Sequence, residues 1–167
     1  MVLCRTQEEA EAALAKIRVL MEERGLTRHP EKTRIVEATQ PGGFDFLGYH
    51  FERGPRWPRK KSVMKLKDSL RDLTPRSSGQ SEVCLVTRVN RVLRGWFEYF
   101  KHSHRTAFPQ LDQWVRRRLR SILRKRSKRQ GISRGCDHNR WPNDYFRERG
   151  LTFLTDAHRL VVQSCHR

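Results

Sequence analysis

Two apolar stripes at helical spacing constrain this chain more than any other feature. At about 100° per residue, Leu85, Val86, Val89, Val92, Leu93, Trp96, Phe97 and Phe100 fall within one arc of about 140°. Arg91, Arg94, Glu98 and Lys101 fall opposite. A second stretch, roughly 109–128, repeats the pattern, with Leu111, Trp114, Val115, Leu119, Ile122 and Leu123 turned inward and Arg116, Arg117, Arg120 and Arg124 projecting the other way. A shorter helix over 63–73 presents Val63, Leu66, Leu70 and Leu73, and Ser81 is placed to cap the helix that follows. Helices with one apolar face bury it against each other, so these three predict a small bundle joined by short loops.

The residues before the bundle carry different periods. Ala10, Ala13, Leu14, Ile17, Leu20 and Met21 predict a helix over about 7–24, opened by a Thr6/Glu9 capping box and stopped at Gly25. "MVLCRT" and "KTRIVEA" (32–38) read as strands, and "FDFLGYHF" (44–51), after the turn signal "PGG", reads as a further strand or hairpin. The Pro-, Arg- and Lys-rich "ERGPRWPRKKS" (52–62) marks the boundary between the two regions. Beyond 131, periodicity is absent until Leu151–Val162, which predicts a loop ending in a short helix or two. The expected class is therefore α+β: a small strand-helix-strand-hairpin unit (1–55), a mainly α-helical three-helix bundle (56–131) and an irregular basic C-terminal extension (132–167).

Charge sets the class of partner. Lys and Arg outnumber Asp and Glu by 36 to 18, a net charge of +18 that repels the compact chain from itself unless a polyanion absorbs it. No run of 18 or more apolar residues is present, so no membrane partner is expected. The N-terminus lacks the pattern of a signal peptide. Cys4, Cys84, Cys136 and Cys165 form no CxxC pair, which fits neither a disulfide framework nor a zinc ribbon and suits a reducing cytoplasmic compartment.

Between Val115 and Arg129 there is no acidic residue, whereas a merely solvated face mixes both signs. Guanidinium forks suit phosphate, so Arg116, Arg117, Arg120, Arg124, Lys125 and Arg126 are candidate phosphate ligands, joined by Arg91, Arg94 and Lys101 on the preceding helix. Arg118 turns into the apolar arc and is expected to be structural, paired with a carboxylate. Trp57 and Tyr99 are the aromatics placed by flank and angle to stack on an unpaired base, although packing is the simpler account of each. Gly95 costs its helix roughly 1 kcal/mol relative to alanine, which points to a close approach by either a neighbouring helix or an RNA backbone. The "CDHN" stretch (136–139), with His158, Cys165 and His166, lacks the spacing of a closed metal site, and Asp45, Asp68 and Asp72 have no partner for two-metal chemistry. No catalytic residue and no metal ligand is assigned.

Read in order, "VLCRT", "GLTRHPEKTRIV", "GFDFLGYHF", "VNRVLRGWFEYFKHS" and "LDQWVRRRLRSILRK" resemble the C-terminal part of a group II intron reverse transcriptase/maturase, and "RWPNDYFRERGL" resembles the ends of bacterial members without a DNA endonuclease domain. The resemblance implies that about 1–55 end a polymerase palm and that 56–131 form the thumb, or maturase-specific domain X, which grips intron RNA. It names group II intron RNA as partner, with a DNA target and an upstream fingers-palm fragment as further ones. In that family a "YADD" segment stands immediately before a strand like "VLCRT", and its aspartates hold Mg2+ for nucleotide addition. Here Met1 stands where they would already have passed. The expectation is an RNA-binding maturase fragment assisting intron folding and splicing, with no cofactor of its own and no polymerase activity alone. The alternative is the C-terminal part of a split RNA-directed DNA polymerase, completed by a separate fingers-palm fragment.

Overall fold

The computed structural model describes residues 2–27, 29, 33, 35–37, 41–77, 79–129 and 135–165. Helix α1 (Gln7–Glu23) begins where expected: the Thr6 hydroxyl accepts from the Glu9 amide at 3.2 Å. The returning Glu9 carboxylate accepts from the Arg5 amide at 2.8 Å, one residue earlier than in a standard capping box. Gly25, at φ +67°, turns the chain away. None of the residues of α1 is buried, and Val19 and Leu20 are exposed.

Two expected strands are not formed by the described residues. Residues 2–6 run without a ladder. The strand expected over 32–38 lies partly outside the described residues, and Thr33 and residues 35–37 take no strand conformation. A β-prone sequence becomes a strand only when a neighbouring backbone accepts its hydrogen bonds, and among the described residues none is beside these segments.

The hairpin forms and gains a third strand. β1 (Phe44–Phe46), β2 (Tyr49–Phe51) and β3 (Arg56–Pro58) make an antiparallel meander in the order β1-β2-β3. Both residues of the first turn, Leu47 (φ 46°) and Gly48 (φ 79°), have positive φ, the conformation that matches the twist of a two-residue hairpin. The backbone of β3 thus continues the sheet across the composition change near residue 55, through the pair Tyr49 and Pro58.

This meander is anchored to the helices. The Tyr49 hydroxyl donates to the Tyr99 carbonyl, and the Tyr99 hydroxyl donates to the Leu47 carbonyl at 2.7 Å. The Gly48 carbonyl accepts from the Arg59 amide (2.8 Å) and the Ser62 hydroxyl (3.1 Å). A side chain at Gly48 would lie 3.3 Å from the Ser62 oxygen and 3.5 Å from the Phe100 ring, so glycine serves both the turn and the packing.

The bundle consists of α2 (Lys60–Leu73), α3 (Glu82–Phe100) and α4 (Ala107–Arg126). Ser81 caps α3 by accepting from the Cys84 amide at 3.2 Å. Leu66 and Leu70, Leu85 through Phe97, and Phe108 through Leu123 share one core with Trp141, Phe146, Leu151, Phe153 and Leu154. The C-terminal extension is therefore folded: α5 (Cys136–Arg140), α6 (Asn143–Glu148) and α7 (Leu154–Cys165) complete the core, and α7 packs along α4. The mixed α+β class and the helical bundle stand as expected.

Candidate nucleic-acid interface

The basic face of α4 has two fates. Asp112, Arg116, Arg120 and Arg124 recur every four residues and so form one stripe. The extension runs antiparallel along that stripe. At its far end Asp112 accepts from the Leu154 amide (2.8 Å), the Thr155 amide (2.9 Å) and the Thr155 hydroxyl (2.6 Å), capping the start of α7. The Arg116 guanidinium lies 5.1 Å from the centre of the Phe153 ring, whose other cation is Arg147 at 4.2 Å.

Arg120 is only 1 % exposed; its Nε donates to the Trp141 carbonyl at 2.8 Å, its Nη2 to the Asn143 side chain at 3.1 Å, and its plane sits 5.2 Å from the Phe146 centroid. Arg124 donates to both carboxylate oxygens of Asp137 at 3.1 Å, and that carboxylate is fully buried. Burial pulls Arg116 and Arg120 below the usual arginine range. For Arg116, Asp112 opposes that shift first; for Arg120, the neighbouring Arg116 adds to it and Asp137 opposes it.

The expectation that this row projects outward is thus corrected at Arg120 and Arg124, which are enclosed, and at Arg116, which is half-buried against Phe153. Arg117 and Lys125 on α4 remain exposed, as does Arg126, which donates to the Gln80 carbonyl.

Arg118 is structural, as its angle implied, but its partners are the Thr74 hydroxyl and backbone carbonyls rather than a carboxylate. Its Nε donates to the Thr74 hydroxyl and its Nη2 to the Thr74 carbonyl, each at 2.9 Å, closing the C-terminus of α2. Its pKa is lowered by burial and then by Arg71 and Arg76. Beside it, Lys67 and Arg71 both lie 5.6 Å from the centre of the Trp114 ring. These α2 cations, with exposed Lys60, Lys61 and Lys65, are basic residues that the sequence motifs did not single out. The run from Lys60 to Lys67, which has no acidic residue, was the available signal.

On α3, Arg91 is exposed and has no ion pair among the described residues. Arg94 is also exposed, its Nε donating to Thr152 at 3.3 Å, while Lys101 pairs with Glu98 at 2.8 Å. Of the aromatics, Trp57 is half-buried, its Nε1 donating to Thr106 at 3.2 Å and its ring beside His104. Tyr99 is 53 % exposed, its ring stacked at 5.9 Å on Tyr49. Trp96, Phe97 and Phe100 pack inward, Trp96 least completely.

Of the remaining chemical candidates, His166 lies outside the described residues, and three carboxylates have internal partners. Asp137 of the "CDHN" stretch holds Arg124; Asp45 holds His50 at 2.9 Å and Arg59 at 2.7 Å; Asp68 holds Arg71. Among the described residues no helix is long and apolar enough to cross a membrane.

Residues 63–141 match the family of the group II intron, maturase-specific domain. That span runs from within α2 through the whole of α4 to Trp141, so it includes both the outward cations of α3 and α4 and the Asp137 and Trp141 that hold the inward ones. The resemblance read from the sequence motifs is borne out over these residues. No curated protein matches the chain.

Proposed function

Taking the match to the group II intron maturase-specific domain at 63–141 as premise, we propose that the chain binds group II intron RNA and helps it reach its splicing-competent fold, leaving the transesterifications to the RNA. The observation that carries this reading is that exposed Arg91, Arg117 and Lys125, all within the matched span, form no ion pair among the described residues. Cations on a rigid helical frame neutralise phosphates that would otherwise keep RNA helices apart, and RNA is recognised mainly through shape, unpaired bases and 2′-hydroxyls. In this reading the division is a palm remnant over 1–55, a thumb over 56–131 and an extension over 132–167 that buttresses the thumb. The chain acts without a cofactor, in the cytoplasm, and does not polymerise DNA alone. A filter-binding titration with a labelled group II intron transcript, against a fully paired RNA duplex of equal length, tests it. Preferential, salt-sensitive retention of the transcript supports the reading; equal affinity for both, or none, removes it.

One observation favours a second reading, a split polymerase. Helix α1 buries none of its residues, and Ala15, Lys16, Val19 and Leu20 line an open apolar surface that a fingers-palm fragment would cover. Primer extension by the chain mixed with such a fragment, and by neither alone, would establish it.

A further inference from the structure

Gly95 lies in the interior of α3 with ordinary helical backbone, and a Cβ built on it meets nothing within 4 Å. Among the described residues no neighbouring helix comes within contact of that position, so the first of the two explanations for this glycine fails. Glycine is a poor helix former, and an exposed site with no steric demand gains from any other residue except proline. Among the described residues nothing in the fold asks for glycine here, which leaves a contact from outside the fold as the reason to look for.

The surroundings indicate what. Arg88, Arg91, Gly95 and Tyr99 follow one another at three- and four-residue spacing and form one face. Arg91 is about 6 Å along the axis on one side of the glycine and Tyr99 about 6 Å on the other. Neither Arg88 nor Arg91 has an ion pair among the described residues, and the acid on this side, Glu98, is taken by Lys101. At the aromatic end Tyr99 is held by its hydroxyl on the Leu47 carbonyl, and Leu47 itself is 67 % exposed in a positive-φ turn. A bulky apolar residue in that conformation is strained, and such strain persists where the surroundings enforce it.

We infer that this face receives one RNA strand, with the sugar-phosphate chain resting directly on the α3 backbone at Gly95, a phosphate on Arg88 and Arg91, and an unpaired base against Tyr99 and Leu47. The inference rests on the RNA-binding reading above and adds the contact point and the strand type. A fully paired duplex offers phosphate but no free base face, whereas a stem-loop offers both.

Gly95→Ala and Gly95→Leu in the full chain test it with two independent readouts. Because the new side chain meets open space, both variants should melt no lower than the parent, and Gly95→Ala about 2–4 °C higher. Affinity for a labelled RNA stem-loop should fall about tenfold for Gly95→Ala and further for Gly95→Leu, a bulkier group at the contact. Tyr99→Phe keeps the ring and should keep loop preference, whereas Tyr99→Ala should lose it. If both glycine variants bind the stem-loop like the parent, the contact point is wrong while the RNA-binding reading survives. If either variant melts well below the parent, Gly95 serves the fold and the inference is overturned. If the parent binds neither stem-loop nor intron transcript, the reading and the inference fall together.

Discussion

Arg124 meets both carboxylate oxygens of Asp137 at 3.1 Å, with the carboxylate fully buried and the guanidinium side chain 13 % exposed. The pair ties the end of α4 to the start of the C-terminal extension. Such a pair gains little over apolar packing, but loss of one member strands the other in a low-dielectric interior. Asp137→Ala should lower unfolding free energy by roughly 3–5 kcal/mol in a urea titration. The double replacement Arg124→Met, Asp137→Leu should recover much of the loss.

Arg120 makes the sharper case, because its charge is both enclosed and hydrogen-bonded to the Trp141 carbonyl and Asn143. Arg120→Ala removes those bonds and a buried side chain from beside Phe146, so about 3–5 kcal/mol is expected from the combined loss. The salt dependence of RNA binding by the folded fraction should stay as in the parent. A flattened slope with unchanged melting would return Arg120 to the RNA surface.

Asp112 holds the other end of the extension. With two amides and a hydroxyl on its carboxylate, Asp112→Ala leaves buried donors unpaired at the start of α7, a loss of about 1–3 kcal/mol per group. Hydrogen exchange should show faster exchange of the Leu154 and Thr155 amides, with α2 and α3 still protected.

His158 supplies a pH dependence. Burial holds its pKa below the ordinary value of 6.5 and His104 adds to the depression, partly offset by a hydrogen bond to the Ser103 backbone. The unfolded chain then takes up a proton at a higher pH than the folded one. The contribution is complete above about pH 6.5 and is lost as pH falls through the depressed folded value. Thermal melts should therefore weaken on acidification below about pH 6.5, and His158→Gln should flatten that part of the profile.

The frame was legible where a period repeats. The stripes from Leu85 to Phe97 and from Leu111 to Leu123 sit in the core with Phe100 buried beside Trp96, Ser81 and Thr6 cap as their spacing implied, and "FDFLGYHF" folds into its hairpin. The inward turn of Arg116, Arg120 and Arg124 was not legible from α4 alone, because a charged face reads as solvated until its cover is known. The cover was present in Trp141, Phe146 and Phe153, each of which offers a ring or carbonyl to an arginine. These residues lie in or beside short helices separated by turns, and a helix of five or six residues shows no period. The described residues of the two expected N-terminal strands form no ladder for the opposite reason: their local preference is strong, but a strand is made by its neighbour.

The central claim is that RNA is held by the outward cations of the helices while the inward ones hold the protein together. The direct measurement is the slope of log affinity against log salt for a labelled group II intron transcript, compared between the parent and the Arg91→Ala, Arg117→Ala, Lys125→Ala triple variant. The account predicts an unchanged melting temperature, weaker binding and a slope shallower by about one for each phosphate that is no longer neutralised. An unaltered slope with affinity intact would contradict it.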